Sequence, residues 1–265
     1  MYGAGVLSSA DGSELILAFP LDDAHIRAIL LDIEGTTTPV DFVHKVLFPY
    51  ARANVTEFLE QHRASADVRT DIEGLRREYL GDERKDLDPP VWRENSSENE
   101  LESVVAYAHW LMDHDRKSTP LKSLQGKIWE AGYHKATLLA EVYLDVPPAF
   151  ARWHRQKREI AIFSSGSVLA QKLLFAHSNA GDLTPYIGAY FDTSTGAKSD
   201  AESYRRIAAS LEHQPSQVVF VSDVVAELDA ARRAGMQTLL CVRAERAQPV
   251  PSAHPSIETL DAVLP

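Results

Sequence analysis

Four short runs of the chain are apolar almost without interruption. Residues 26–31 lead directly into Asp32 and Gly35, and residues 159–163, 217–221 and 237–242 share their character. Strict alternation would mark strands with one wet face, whereas unbroken runs of this length mark strands covered on both. Beyond the second and third runs the pattern changes to a helical one. Ser164-Ser165-Gly166 precedes Val168, Leu169, Lys172 and Leu173, and Ser222-Asp223 precedes Leu228, Ala231 and Ala234, with Gly235 as the stop. Strands alternating with helices predict βαβ units and an α/β fold: a doubly wound, Rossmann-like parallel sheet whose ligands gather at the carboxyl ends of its strands.

Between the first run and the second lie roughly 120 residues, several times what a crossover needs, so an insertion is expected. Phe42, Val43, Val46, Leu47 and Tyr50 recur at helical spacing, as do Val104, Val105, Ala108, Leu111 and Met112 after a Ser/Glu-rich start. Residues 64–99 are charged and contain Pro89-Pro90, which predicts loops between the inserted helices. The expected division is a lead over residues 1–25, a catalytic core over 26–40 and 148–265, and a helical cap over 41–147.

Each strand end carries polar residues with chemistry. Asp32-Ile33-Glu34-Gly35 places two carboxylates on the loop above the sheet, where an Asp can attack phosphorus and the neighbouring acid can move protons. Ser164 and Ser165 open a helix whose hydroxyls and backbone N–H groups suit a phosphate. Lys198, ahead of another helix, can neutralise a phosphoryl group. Asp223 closes the third run, and Asp32, Glu34 and Asp223 together make the oxygen-rich set that Mg²⁺ prefers; Glu227, one turn later, can support it. Taken singly, each has an ordinary reading as a helix cap, a turn former or a surface charge.

A net charge of -11 argues against nucleic acid and anionic membranes as partners, so positive charge for a phosphate ester must be local. The single cysteine, Cys241, excludes an internal disulfide and fits a reducing, cytoplasmic compartment. No window approaches a membrane span.

The order of these pieces resembles the four-motif layout of the haloacid dehalogenase superfamily: an Asp after the first strand, Ser after the second, Lys before a helix and an acid after the third. Asp32-Ile33-Glu34-Gly35-Thr36-Thr37-Thr38-Pro39, Phe48-Pro49-Tyr50-Ala51, Asp115-Arg116-Lys117-Ser118-Thr119 with Leu124-Gln125-Gly126 and Trp129, and residues 164–175 together resemble the enolase-phosphatases (acireductone synthases) of methionine salvage. Glu34, where most of the superfamily has Asp, belongs to that resemblance, while Pro120 interrupts its cap motif. The resemblance implies enolisation and dephosphorylation of 2,3-diketo-5-methylthiopentyl-1-phosphate by a Mg²⁺-dependent monomer. Asp32 would be the nucleophile, Glu34 an acid/base and metal ligand, Asp223 a metal ligand, and Ser164, Ser165 and Lys198 the phosphate binders. Gln125 and Trp129 are candidates for the methylthio end. Hydrolysis of another small phosphate ester, dehalogenation and a catalytically silent scaffold remain alternatives.

Overall fold

The computed structural model describes residues 24–244 and 252–265; almost all of the expected lead falls outside them. The apolar runs become β1 (Ala28–Leu31), β2 (Glu159–Phe163), β4 (Val218–Ser222) and β5 (Gln237–Cys241), joined by the shorter β3 (Ala189–Phe191) and β6 (Ser256–Ile257). They form one parallel sheet in the order β3-β2-β1-β4-β5-β6. β1, at the centre, pairs Leu31 with Ile162 on one side and Val221 on the other. One residue further along, this register sets Asp32 between Phe163 and Ser222.

Between β1 and β2 the chain runs through α1 (Val40–Phe42), a π-helical turn (Val43–Leu47), α2 (Phe48–His62), α3 (Ala66–Glu83), α4 (Ser97–Asp113), α5 (Thr119–His134) and α6 (Val146–Arg155). After β2, β3 and β4 come α7 (Val168–Ala176), α8 (Ala201–Ser210) and α9 (Val225–Arg233). Strand side chains alternate between two layers. Ile29, Leu31, Ile162 and Val221 pack with Phe150, Trp153, Leu173 and Phe175 of α6 and α7, in a core continuous with the inserted helices. Ala28, Leu30, Phe163 and Phe220 pack with Tyr204, Ile207 and Leu228 of α8 and α9. Phe150 and Phe175 are wholly buried; a large apolar side chain so placed contributes roughly 1.5–3 kcal/mol before chain entropy is counted.

The expectation of loops over residues 64–99 is corrected by α3, eighteen residues of helix. Its inward stripe holds Val68, Leu75 and Tyr79 but also Asp71 and Asp82, so no clean apolar period marks it. Asp71 is paired with Lys127 of α5. Asp82 accepts from Tyr107 and Arg116, each at 2.7 Å; burial pushes its carboxyl up, and these two donors pull it below the ordinary value. Pro120, the departure from the resembled cap motif, does not break helix α5. It lies in the first turn of α5, behind the Ser118 N-cap, where a missing N–H costs no helical bond. It packs against Gly74 of α3, at a place where a Cβ on the glycine would collide with the proline ring.

Candidate active site

β1 ends in a loop that folds tightly on itself. The carbonyl oxygen of Ile33 accepts from the amides of Thr36, Thr37 and Thr38 at 3.2, 2.9 and 2.9 Å, and Gly35, at φ +68°, donates to Thr38 at 2.8 Å. Only glycine enters that left-handed region without strain. Space imposes the same choice, because a Cβ on Gly35 would run into the carboxylate of Asp223. From outside, Arg243 braces the loop. Its guanidinium, stacked 4.1 Å above Tyr143, donates to Thr36 O from Nε at 3.1 Å and to Asp145 from Nη1 at 2.6 Å. Asp145 in turn accepts from Thr259 and from the Leu260 amide, at 2.8 and 2.7 Å.

The buried Asp32 is held at several points. Oδ1 accepts from the Ile33 amide and from Lys198 Nζ, both at 2.7 Å, while Oδ2 lies 3.2 Å from Ser222 Oγ. Lys198 is fixed in the turn before α8, not inside the helix, with its carbonyl accepting from Tyr204 at 2.7 Å. It also lies 2.7 Å from Glu227 Oε2, which is 3.1 Å from Ser222 Oγ. Burial alone would lower the Lys198 pKa, but Asp32 and Glu227 carry it above the ordinary value. Glu227 is raised by burial and then by Asp32, against the pull of Lys198 and Ser222. Glu34 is also raised, first by burial and then by Asp32, with Asp223 adding to the shift and His44 and Lys198 opposing it.

Ser164 continues the β2 ladder by donating to Phe191 O at 3.2 Å, and its hydroxyl accepts from the Gly166 amide at 3.0 Å. The N-cap of α7 is Ser167, so the cap reading does not account for Ser164 and Ser165. Ser165 is exposed beside the crevice. Asp32, Glu34, Ser164, Ser165 and Asp223 therefore lie at the carboxyl ends of the central strands, and Lys198 reaches Asp32 from the turn before α8. Trp129 is instead mostly buried, donating from Nε1 to Leu47 O at 2.9 Å, and Gln125 is buried within α5.

Five positions here carried little or no weight in sequence. Glu227 was visible only as an acid one turn after Asp223. Arg243 and Asp145 are distant in sequence and flagged by no pattern. His44, exposed in the π-helical turn, faces Glu34 electrostatically and lies 5.8 Å from the Phe48 ring; its i,i+4 spacing to Phe48 was the available clue. The fifth, Lys122, reaches from α5 to the carbonyl oxygen of Ser165.

Asp32 and Glu227 contact the ammonium of Lys198, Glu34 lies near Asp32 and Asp223, and burial raises Glu34 and Glu227. A phosphate dianion cannot approach that set without another cation. Among the described residues, no three acidic, His or Cys side chains are drawn into a preformed metal cage. Mg²⁺ is a hard cation that takes carboxylate oxygens and completes its shell with water and substrate phosphate. The hard-oxygen donors Asp32, Glu34 and Asp223 therefore fit such an ion. No described helix is long and apolar enough to cross a membrane.

Residues 26–235 match the model of the haloacid dehalogenase-like hydrolases. The chain is 54% identical to the enolase-phosphatase E1 of Synechococcus elongatus over 82% of its own length and 89% of that protein. Against the enolase-phosphatase E1 of Yersinia pestis the identity is 43%, over 90% of this chain and 97% of that one. The crystal structure of the UTR4 protein from Saccharomyces cerevisiae superimposes with a TM-score of 0.71 at 32% identity, covering 88% of this chain and 98% of that one. A haloacid dehalogenase-type phosphatase from Thermococcus onnurineus, 19% identical, shares the fold with a TM-score of 0.52.

Proposed function

Because the chain belongs to the haloacid dehalogenase-like hydrolases, and within them to the enolase-phosphatases, we propose that it converts 2,3-diketo-5-methylthiopentyl-1-phosphate to acireductone and phosphate in methionine salvage. The observation that carries the chemistry is the buried Asp32 carboxylate, held between Lys198 and Ser222 at the crest of the central strand. Fixed in this way, Asp32 attacks phosphorus. An O–P bond forms as the ester P–O bond breaks, and water then hydrolyses the aspartyl-phosphate. Ser164, Ser165 and Lys198 bind the phosphoryl oxygens, Lys198 offsetting charge that would otherwise repel the nucleophile.

Glu34 serves as the acid/base of the proton steps, accepting a C1 proton during enolisation; its raised pKa and its place beside Asp32 support the role. Mg²⁺, held by Asp32, Glu34 and Asp223, would supply charge neutralisation at the phosphoryl group. The inserted helices α2–α5 act as a cap over the crevice. The reading carries with it a small-molecule substrate, a cytoplasmic location and action as a monomer.

Proton and phosphorus NMR of the purified protein with the diketone phosphate and Mg²⁺ tests the proposal. Enol formation followed by inorganic phosphate is the expected result. Phosphate release from simple esters with the diketone phosphate left intact would favour a phosphatase of another small ester.

A further inference from the structure

Lys122 is poorly accommodated by the fold as it stands. It sits one turn into α5, near the end of the helix where the backbone dipole is positive and a cation is disfavoured. It is half-buried, and burial lowers its pKa, with Asp192 opposing the shift from a distance. Lys198 and Lys127, more deeply enclosed, each touch carboxylates directly. Among the described residues Lys122 has no such ion pair; its Nζ donates to the carbonyl oxygen of Ser165. α5 is held over that loop by close packing at Gly126, where an added Cβ would lie 3.7 Å from Leu169 and 3.9 Å from Ser167 Oγ. The ammonium is thus aimed from the inserted helices at the phosphate loop, one strand away from Asp32.

Resting on the function proposed above, we propose that Lys122 contacts the C2 carbonyl oxygen of the substrate and gives it the proton that completes enolisation. The phosphate is gripped from the sheet side by Ser164, Ser165 and Lys198. A cation arriving from the opposite side meets the carbon skeleton next to the ester, whose nearest polar atom is that carbonyl. The C1–H bond breaks and its proton passes to Glu34. Its electron pair becomes the C1=C2 bond, the carbonyl π pair moves to oxygen, and that oxygen takes a proton from Lys122. Water carries the proton from Glu34 back to the amine, closing the balance.

The test separates the two half-reactions. Deuterium exchange at C1 is followed by proton NMR in D₂O with a phosphonate analogue that cannot be hydrolysed, and p-nitrophenyl phosphate turnover is measured in parallel. Lys122→Met should lower exchange by about 10²-fold or more while changing turnover of the simple ester only about threefold, since a general acid of this kind contributes roughly 10²–10⁴-fold. Lys122→Arg, which binds oxygen but does not release its proton, should hold the analogue without restoring exchange. Unchanged exchange in Lys122→Met, or an equal loss on both substrates, overturns the assignment. Failure of the unsubstituted enzyme to exchange C1 would instead refute the function on which the assignment rests.

Discussion

Arg243 donates from Nε to the carbonyl oxygen of Thr36 at 3.1 Å, linking the end of β5 to the loop that carries Asp32 and Glu34. Both partners are buried, and the side chains of the Arg243–Asp145 pair on the other side of the guanidinium are only 8% and 11% exposed. Arg243→Met would strand Asp145 and release the loop. Breaking a buried pair by removing one partner costs about 3–5 kcal/mol, so urea unfolding should show a loss of that order, accompanied by a lower kcat on any phosphate ester. Adding Asp145→Asn should recover part of the stability but not the kcat, because the brace on Thr36 stays absent. Unchanged kcat in Arg243→Met would remove Arg243 from the positioning of the loop.

Asp32→Asn keeps the shape of the side chain and its contacts with Ile33 and Ser222 while removing the nucleophile. Phosphate release should fall by roughly 10⁴-fold or more, and the folded state should persist by circular dichroism. Substantial turnover by protein shown by mass spectrometry to be free of deamidation would exclude Asp32 as the attacking group.

Glu34 makes metal-free stability depend on pH with a definite sign. Its folded pKa is raised above the ordinary 4.5, so the native state holds the proton more tightly than the unfolded chain does. The associated stability is present at acid pH and is lost as pH climbs through the raised value. In EDTA, the unsubstituted protein should therefore lose melting temperature across that window, and Glu34→Gln should flatten the loss. Saturating Mg²⁺ should also flatten it, by offsetting the repulsion among Asp32, Glu34 and Asp223. A melting temperature that climbed through the same window in EDTA would contradict the assignment.

Gly35→Ala faces two penalties at once. The φ of +68° disfavours any Cβ, by about 1–2 kcal/mol, and the added methyl would displace Asp223 and press on Val40, 3.3 Å away. The expected signature is a modest loss of stability together with a rise in the Mg²⁺ concentration needed for half-maximal activity. A loss of stability with unchanged metal dependence would show that Asp223 has room to move.

The parallel core was legible because a strand covered on both faces needs an apolar run, and four such runs stand out. β3 escaped notice because it has only three residues, one of them the half-buried Tyr190, and α3 escaped because buried Asp71 and Asp82 break its stripe. Asp32, Ser164, Lys198 and Asp223 could be read from their places at strand ends and before a helix. Lys122 and Arg243 could not, because their meaning depends on contacts with Ser165 and Thr36, residues far away in sequence. Packing alone creates those encounters, and periodicity carries no trace of them.

The π-helical turn Val43–Leu47 fits one more residue into a continuous helix than α-geometry allows. Every α-helical residue advances the chain by about 100°, so this turn sets the angular phase between the nucleophile loop and everything that follows in α2. Removing any one of the five residues would let the helix run straight, yet it would swing His44 and Val40 about the axis away from the side where Phe48 meets Trp129. His44 faces Glu34 from this turn, so the number of residues between Val40 and Phe48 sets where that imidazole stands relative to the carboxylate.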